Sequence, residues 1–466
     1  MGVHVLGRVG YISQEVIRGK GTRARSLRST GFVILGFGGS NLLRLGSNLI
    51  LTRLLFPEAF GLMALVQVFL TGLQLFSDLG IRVSIIQNDR GEEPAFLNTA
   101  WTIQILRGVF LWAIACGLAY PAALLYGEPR LLELMPVAAL SAVVTGFNTT
   151  KVHVANRNLE IGVQVMTDLG AQFLGLLVTV GLTFVWRDVW ALVAGGIATP
   201  AIKMAAQHYM LPGPANRLHW DRSAARELVR FGKFIFLSSI AGFIVSQSDR
   251  AVLGAHVPVR ELGIYAIAYT VASIPLMLAQ AAGGRVIFPL YRKYPMEESA
   301  ANRAKVHKAR RMMRLFSVLV CSAITLGGVG LIDLMYDARY AMAGPITVLM
   351  GFGMTAQISV SMYDGAYLSR GDSRSHFVMT CLSAGLQLVF LLAGAAWFGL
   401  VGVIGAPVLV VLCVYPYRAR LLGRYRAWDP LGDLGALALG WAATGLSIWI
   451  WRAEIMQFLG QSAGGL

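Results

Sequence analysis

Much of the usual apparatus of catalysis is missing from these 466 residues. The sequence has no Walker lysine motif, no HExxH pair and no histidine cluster, so neither a nucleotide cofactor nor a metal finds support. Charged residues make up only 14% of the chain, against about a quarter in soluble domains. The four cysteines (Cys116, Cys321, Cys381, Cys413) form no CxxC pair and fall in apolar stretches, so they read as small apolar side chains. Residues 1–30 lack the apolar core of a cleavable signal. They are basic instead (Arg8, Arg18, Lys20, Arg23, Arg25, Arg28) and read as a cytoplasmic tail.

What is abundant is apolar surface: 56% of the residues are hydrophobic. One globule cannot bury that much, so lipid is the expected solvent. Apolar runs of about 20 residues, each able to cross about 30 Å of hydrocarbon as a helix, recur at 31–52, 61–84, 95–120, 131–150, 163–186, 189–211, 231–254, 262–288, 313–336, 345–368, 377–398, 400–420 and 431–451. The pattern predicts an all-α polytopic membrane protein of about 12–14 spans. A β-barrel is disfavoured, because its strands would alternate over about ten residues.

The net charge of +16 would suggest nucleic acid in a soluble protein. Here the positive residues fall in every second loop: Arg82/Arg90, Lys151/Arg157, 217–233, 292–314, Arg370/Arg374 and 418–426. Topology explains that bias without a polyanion and places the N-terminus inside. Two inner loops are long, 212–230 and 291–312, the second with seven Lys/Arg. The stretch after 451 reads as a last tail or interfacial segment. A faint repeat pairs Phe60-Gly61-Leu62-Met63-Ala64 with Leu262-Gly263-Ile264-Tyr265-Ala266, six spans apart and therefore in the same orientation.

Several spans carry polar stripes at helical spacing. The first has Asn41, Arg44, Asn48 and Thr52; the second Gln67, Thr71, Gln74 and Asp78, with Arg82 beyond; the seventh Ser238, Gly242, Ser246 and Asp249, with Arg250 adjacent; the eighth Tyr265, Tyr269 and Gln280, with Arg285 following; the tenth Gln357, Ser361 and Asp364. Ionisable groups at this depth mark a cavity or a partner. The bland readings stay open. Asn and Gln can simply join helices. Arg53, Arg82 and Arg285 near span ends can snorkel. Asp249-Arg250 can be a structural pair, and Asp78, Asp168 and Asp364 can pair with basic neighbours. Arg44 and Arg107 are in mid-span, where snorkelling is hard; Lys203 is a weaker case. Gly36-Phe37-Gly38-Gly39-Ser40 only superficially resembles a phosphate loop and reads as helix packing.

The stretch from Leu51 to Ile86, with Thr52-Arg53-Leu54-Leu55, Pro57-Glu58, Phe60-Gly61 and Asp78-Leu79-Gly80, resembles the start of polysaccharide exporters in the multidrug/oligosaccharidyl-lipid/polysaccharide (MOP) exporter superfamily. Asp249-Arg250-Ala251-Val252-Leu253-Gly254 and Glu261-Leu262-Gly263-Ile264-Tyr265 carry the same resemblance. It covers about residues 30–420 and favours the Wzx-like branch. It implies two pseudo-symmetric six-helix bundles around a central cavity: a tail 1–30, a bundle 31–211, a linker 212–230, a second bundle 231–428, and an extra helix and tail 429–466. It also implies a flippase for polyprenyl-diphosphate-linked oligosaccharide in a bacterial inner membrane, working beside a polysaccharide polymerase and export machinery, with a positively charged cavity.

The expected cavity residues are Arg44, Asn41, Asn48, Arg53, Gln74, Arg82, Arg107, Lys203, Arg250 and Arg285, with Asp78, Asp249 and Asp364 as ion-coupling candidates. A drug/cation antiporter would share the fold but should favour acidic mid-span charges. A membrane glycosyltransferase or polymerase should have larger outer loops.

Overall fold

The computed structural model describes residues 22–77, 80–158, 160 and 162–463. All regular structure among them is helical. The helices are α1 (Thr22–Leu54), α2 (Pro57–Phe76), α3 (Ile81–Gln87), α4 (Pro94–Tyr126), α5 (Leu131–Ala138), α6 (Leu140–Gly146), α7 (Lys151–Arg157), α8 (Gly162–Trp186), α9 (Val189–Met210) and α10 (Arg222–His256). They continue as α11 (Val259–Ala272), α12 (Ile274–Ala282), α13 (Phe288–Lys293), α14 (Ala300–Leu326), α15 (Gly328–Met335), α16 (Ala343–Val360), α17 (Asp364–Leu368), α18 (Ser373–Arg424), α19 (Pro430–Ile450) and α20 (Arg452–Ala463). Among the described residues, seven helices are long and apolar enough to cross a membrane, or up to ten if each bent pair is one span. Among the described residues the expected spans fall mainly on helix, and 61–84, 131–150, 262–288, 313–336 and 345–368 are each divided between successive helices.

The breaks have local causes. Pro275 sits at the start of α12, where its missing N–H and rigid ring part the segment from α11 by a 44° bend. A π-turn at Gly283–Ile287 then separates α12 from α13. The chain also breaks by 70° between α14 and α15. The 52 residues of α18 are two spans rather than one: Gly399 adopts φ 53°, a conformation that disfavours a side chain. The two arms lie so close there that a Cβ on Gly402 would stand 2.1 Å from the Gly394 carbonyl oxygen.

Both long loops are shorter than expected. Ser299 caps α14 by accepting the Asn302 amide at 3.0 Å, and helix-forming Ala, Lys and Arg carry the helix through most of 291–312. Asp221 likewise accepts the amides of Ser223 and Ala224 at 2.7 and 2.9 Å and opens α10 inside the expected linker.

The chain forms two compact units, Met1–Leu55 with Phe69–Ser239, and Phe56–Val68 with Ile240–Leu466. In the first, α1 packs on α8 through glycine: a Cβ on Gly36 would lie 2.8 Å from Val165 Cγ1. The GFGGS stretch is therefore a packing surface. A buried cluster of Ile81, Ile85, Phe96, Leu97, Ile103 and Leu228 joins α3, α4 and the start of α10. In the second unit α16 is buried along almost its whole length, and α15, α16 and α20 meet through Val329, Val348 and Ile455.

The faint repeat has a physical meaning. Both copies belong to the second unit, and their glycines face each other. A Cβ on Gly61 would lie 2.0 Å from the Val259 carbonyl oxygen, and one on Gly263 1.9 Å from that of Pro57. Small residues let two helix backbones cross at this distance.

Candidate functional site

Three of the expected cavity residues lie on one face of α1. Asn41 donates to the Phe37 carbonyl at 2.7 Å, and Arg44 Nη2 donates to Asn41 Oδ1 at 3.2 Å. Thr52 is buried and donates to the Asn48 carbonyl at 2.7 Å. Its own helix thus holds Asn41, and Asn41 orients an exposed guanidinium at Arg44. Gln172 of α8 donates to the Ser40 carbonyl at 3.1 Å and ties α8 to α1.

Arg107 of α4 meets the end of α2. Its Nε donates to Ser77 Oγ and its Nη2 to the Gln74 carbonyl, both at 2.8 Å. A cation there complements the negative end of α2. Arg107 and Gln74 also line a small cavity of about 130 Å³ with Gln104 and Thr145. The buried Gln104 Oε1 has no hydrogen-bond partner. Lys203 has a local partner: its Nζ lies 2.9 Å from Asp168 Oδ1, which also accepts from Gln207 at 3.0 Å. That triad ties α8 to α9.

In the second unit, Asp249 and Arg250 look to separate partners. Tyr265 donates to Asp249 at 2.7 Å. Arg250 lies 5.2 Å from the centre of the Tyr269 ring and reaches Gln247 at 3.5 Å, and its buried Nε has no acceptor. Asp364 accepts from Tyr367. Arg53, Arg82 and Arg285 are exposed. Asp78 lies outside the described residues.

The most heavily buried charges were not anticipated. Arg310 and Arg314, one helical turn apart on α14, are 0% and 2% exposed. They face Asp429, which caps α19, and Asp433 one turn into it. Arg311 grips Asp429 with two hydrogen bonds of 2.8 and 2.5 Å. Arg314 donates to Asp433 at 2.5 Å, and Tyr363 and Tyr415 donate to the same carboxylate at 2.7 Å. Arg310 donates to Tyr291 at 2.8 Å and lies 4.3 Å over the Tyr363 ring. Around Asp429, burial alone would raise the pKa, but the Arg311 hydrogen bond and the Arg310 charge hold it below the usual carboxylate range. A signal existed: bases at i and i+4 on one helix, acids at i and i+4 at the head of another. It was masked because positive residues before a span are ordinarily read as topology.

Comparison with known proteins follows the same lines. The chain is similar to the succinoglycan biosynthesis transport protein ExoT of Rhizobium meliloti, with 21% identity over 69% of this chain and 65% of that one. It is similar to the lipopolysaccharide biosynthesis protein WzxC of Escherichia coli, with 21% identity over 65% and 61%. It also matches the teichuronic acid biosynthesis protein TuaB of Bacillus subtilis, with 20% identity over 64% and 62%. The chain thus covers less than two thirds of each of these relatives.

In fold it resembles the lipid II flippase MurJ in an inward closed conformation, with a TM-score of 0.68 and 11% identity over 93% of this chain and 97% of that one. It also resembles an inward-facing multidrug resistance MATE family transporter of the MOP superfamily, with a TM-score of 0.60 and 13% identity over 83% and 95%. Residues 50–344 match the family described as polysaccharide biosynthesis protein. That is more than half of the chain, and the chain belongs to this family of multi-pass membrane proteins.

Proposed function

We propose that this protein is a flippase: it turns an oligosaccharide linked to polyprenyl diphosphate from the inner to the outer leaflet of a bacterial inner membrane by alternating access. The observation that carries the reading is the family match over residues 50–344. The polar face of α1, with Arg44 oriented by Asn41, supplies its chemistry.

Moving a diphosphate and a glycan through hydrocarbon requires polar groups that replace water while the lipid tail stays in lipid. A guanidinium matches phosphate oxygens in geometry and keeps its charge. Asn48 and Gln74 suit sugar hydroxyls. Arg53, Arg82, Arg107, Arg250, Arg285 and Lys203 extend the positive lining; Arg107 and Lys203 do so while also bracing their helices. The sequence carries no ATP-binding motif, so the drive is a gradient or consumption of the product. Two negative charges leaving an inside-negative membrane at about 100 mV gain roughly 4–5 kcal/mol. Asp78, Asp249 and Asp364 are the candidates for a coupled ion. The N-terminus lies in the cytoplasm, and the protein delivers its substrate to a polymerase and export machinery.

Arg44→Ala should block export in cells lacking the native gene and leave the lipid-linked unit accessible only from the cytoplasm. Normal export by a well-expressed Arg44→Ala protein would remove that residue from the mechanism. Cation resistance on overexpression, without glycan export, would favour the antiporter reading. Glycan transfer by the purified protein would favour an enzyme.

A further inference from the structure

A second feature of the molecule lies within the second unit. Along the first turns of α14 and the head of α19 runs a groove of about 730 Å³. One end is basic, with Lys308 and Arg311 and the His307 ring beside them. The other is apolar, with Met312, Leu315 and Leu431 exposed at 59%, 51% and 78%. Trp428 stands in the groove with its indole N–H donating to Tyr415 at 3.2 Å and its ring partly exposed. From Lys308 to Leu315 the helix rises about 10 Å, which carries the wall from head-group depth into the acyl region. Basic and apolar groups on α14, with an aromatic ring on the facing wall, match the layers of a membrane surface.

The charges beneath the groove lean one way. Lys308, Arg310, Arg311 and Arg314 are set against two carboxylates, Asp429 and Asp433. Asp429 itself lines the groove, but Arg311 grips it and Arg310 Nη2 lies 3.7 Å away. Lys308 is exposed and has no ion pair among the described residues. Arg310 Nε and Arg314 Nε and Nη2 are buried without hydrogen-bond acceptors. A surplus of positive charge over the two carboxylates, with exposed Lys308 at the rim of a half-apolar groove, favours an anion that brings its own hydrocarbon.

We propose that this groove binds the phosphate of an anionic membrane phospholipid, with Lys308 and Arg311 on the head group and Met312, Leu315 and Leu431 along an acyl chain. Basic pockets between membrane helices hold anionic head groups in this way. The groove shares no residue with the polar face of α1, and the proposal needs no assumption about the exported glycan.

The test uses the full chain in detergent micelles, with lipid retention read by native mass spectrometry. The probes are phosphatidylglycerol, phosphatidylcholine, polyprenyl diphosphate and inorganic phosphate. Wild type should retain phosphatidylglycerol over phosphatidylcholine, and Lys308→Ala should weaken that retention about fivefold, with Lys308→Glu weakening it further. Lys308 is exposed and unpaired, so both variants should fold. Lys305→Glu makes the same charge change on the same helix outside the groove and should leave retention unchanged. Equal retention of the two phospholipids, or an equal loss in Lys305→Glu, would overturn the proposal. So would a Lys308-dependent preference for polyprenyl diphosphate or for inorganic phosphate alone.

Discussion

The Arg314–Asp433 pair allows a sharp test of how the second unit is held. Both side chains are almost fully buried, 2% and 1% exposed, and their atoms meet at 2.5 Å. Asp433→Asn keeps the shape and an acceptor oxygen for Tyr363 and Tyr415, yet leaves the Arg314 guanidinium without its counter-charge. Breaking one partner of a buried pair costs about 3–5 kcal/mol, because the remaining charge stays desolvated. Arg314 already has two nitrogens without acceptors, which places the expected loss toward the upper end. Removing both charges in Arg314→Met/Asp433→Asn should recover most of it and leave the double variant within about 2 kcal/mol of wild type. The coupling between the two sites should then exceed about 2 kcal/mol. The assay is reversible unfolding in mixed micelles, followed by tryptophan fluorescence. A single variant within about 1 kcal/mol of wild type, or a double variant whose loss is the sum of the singles, would refute the argument.

Other consequences follow from the geometry. Gly61→Ala and Gly263→Ala each put a methyl group about 2 Å from a backbone oxygen and should destabilise by about 1–3 kcal/mol, whereas Gly46→Ala, with nothing within 4 Å, should be neutral in the same unfolding assay. Arg107→Ala removes two hydrogen bonds from the end of α2 and should cost about 1–3 kcal/mol; if unfolding midpoints do not move, the arginine is not a brace. Asp372 accepts from Ser375 and Tyr425, which lowers its pKa to about 2. A lowered pKa means its contribution is complete above about pH 4 and fades as pH falls through about 2. The stability difference between wild type and Asp372→Asn should therefore shrink on acidification, and a difference that widens would contradict the assignment.

Particular residues show how far the pattern in the chain reaches. Long apolar runs separated by basic and neutral loops set the helices and their approximate ends, because hydrocarbon leaves a backbone no partner but itself. Gly399 divides 377–398 from 400–420 as composition suggested, and Gly36 and Gly39 of GFGGS serve packing. Local chemistry also shows in α1, where the Asn41–Arg44 contact is a matter of i, i+3 spacing alone. Contacts between distant segments were not legible. Lys203 reads as a lone cation until α8 brings Asp168 beside it. Gly61 and Gly263 read as a repeat until their crossing shows why both must lack a side chain. Arg310 and Arg314 read as topology signals until α19 brings Asp429 and Asp433 against them. The sequence by itself determined that this chain lives in a membrane as a helical bundle with polar faces, since hydropathy and periodicity are local properties of the chain. Only the tertiary structure decided which charges are braces and which are paired, since the Arg314–Asp433 contact depends on a distance between residues more than a hundred positions apart.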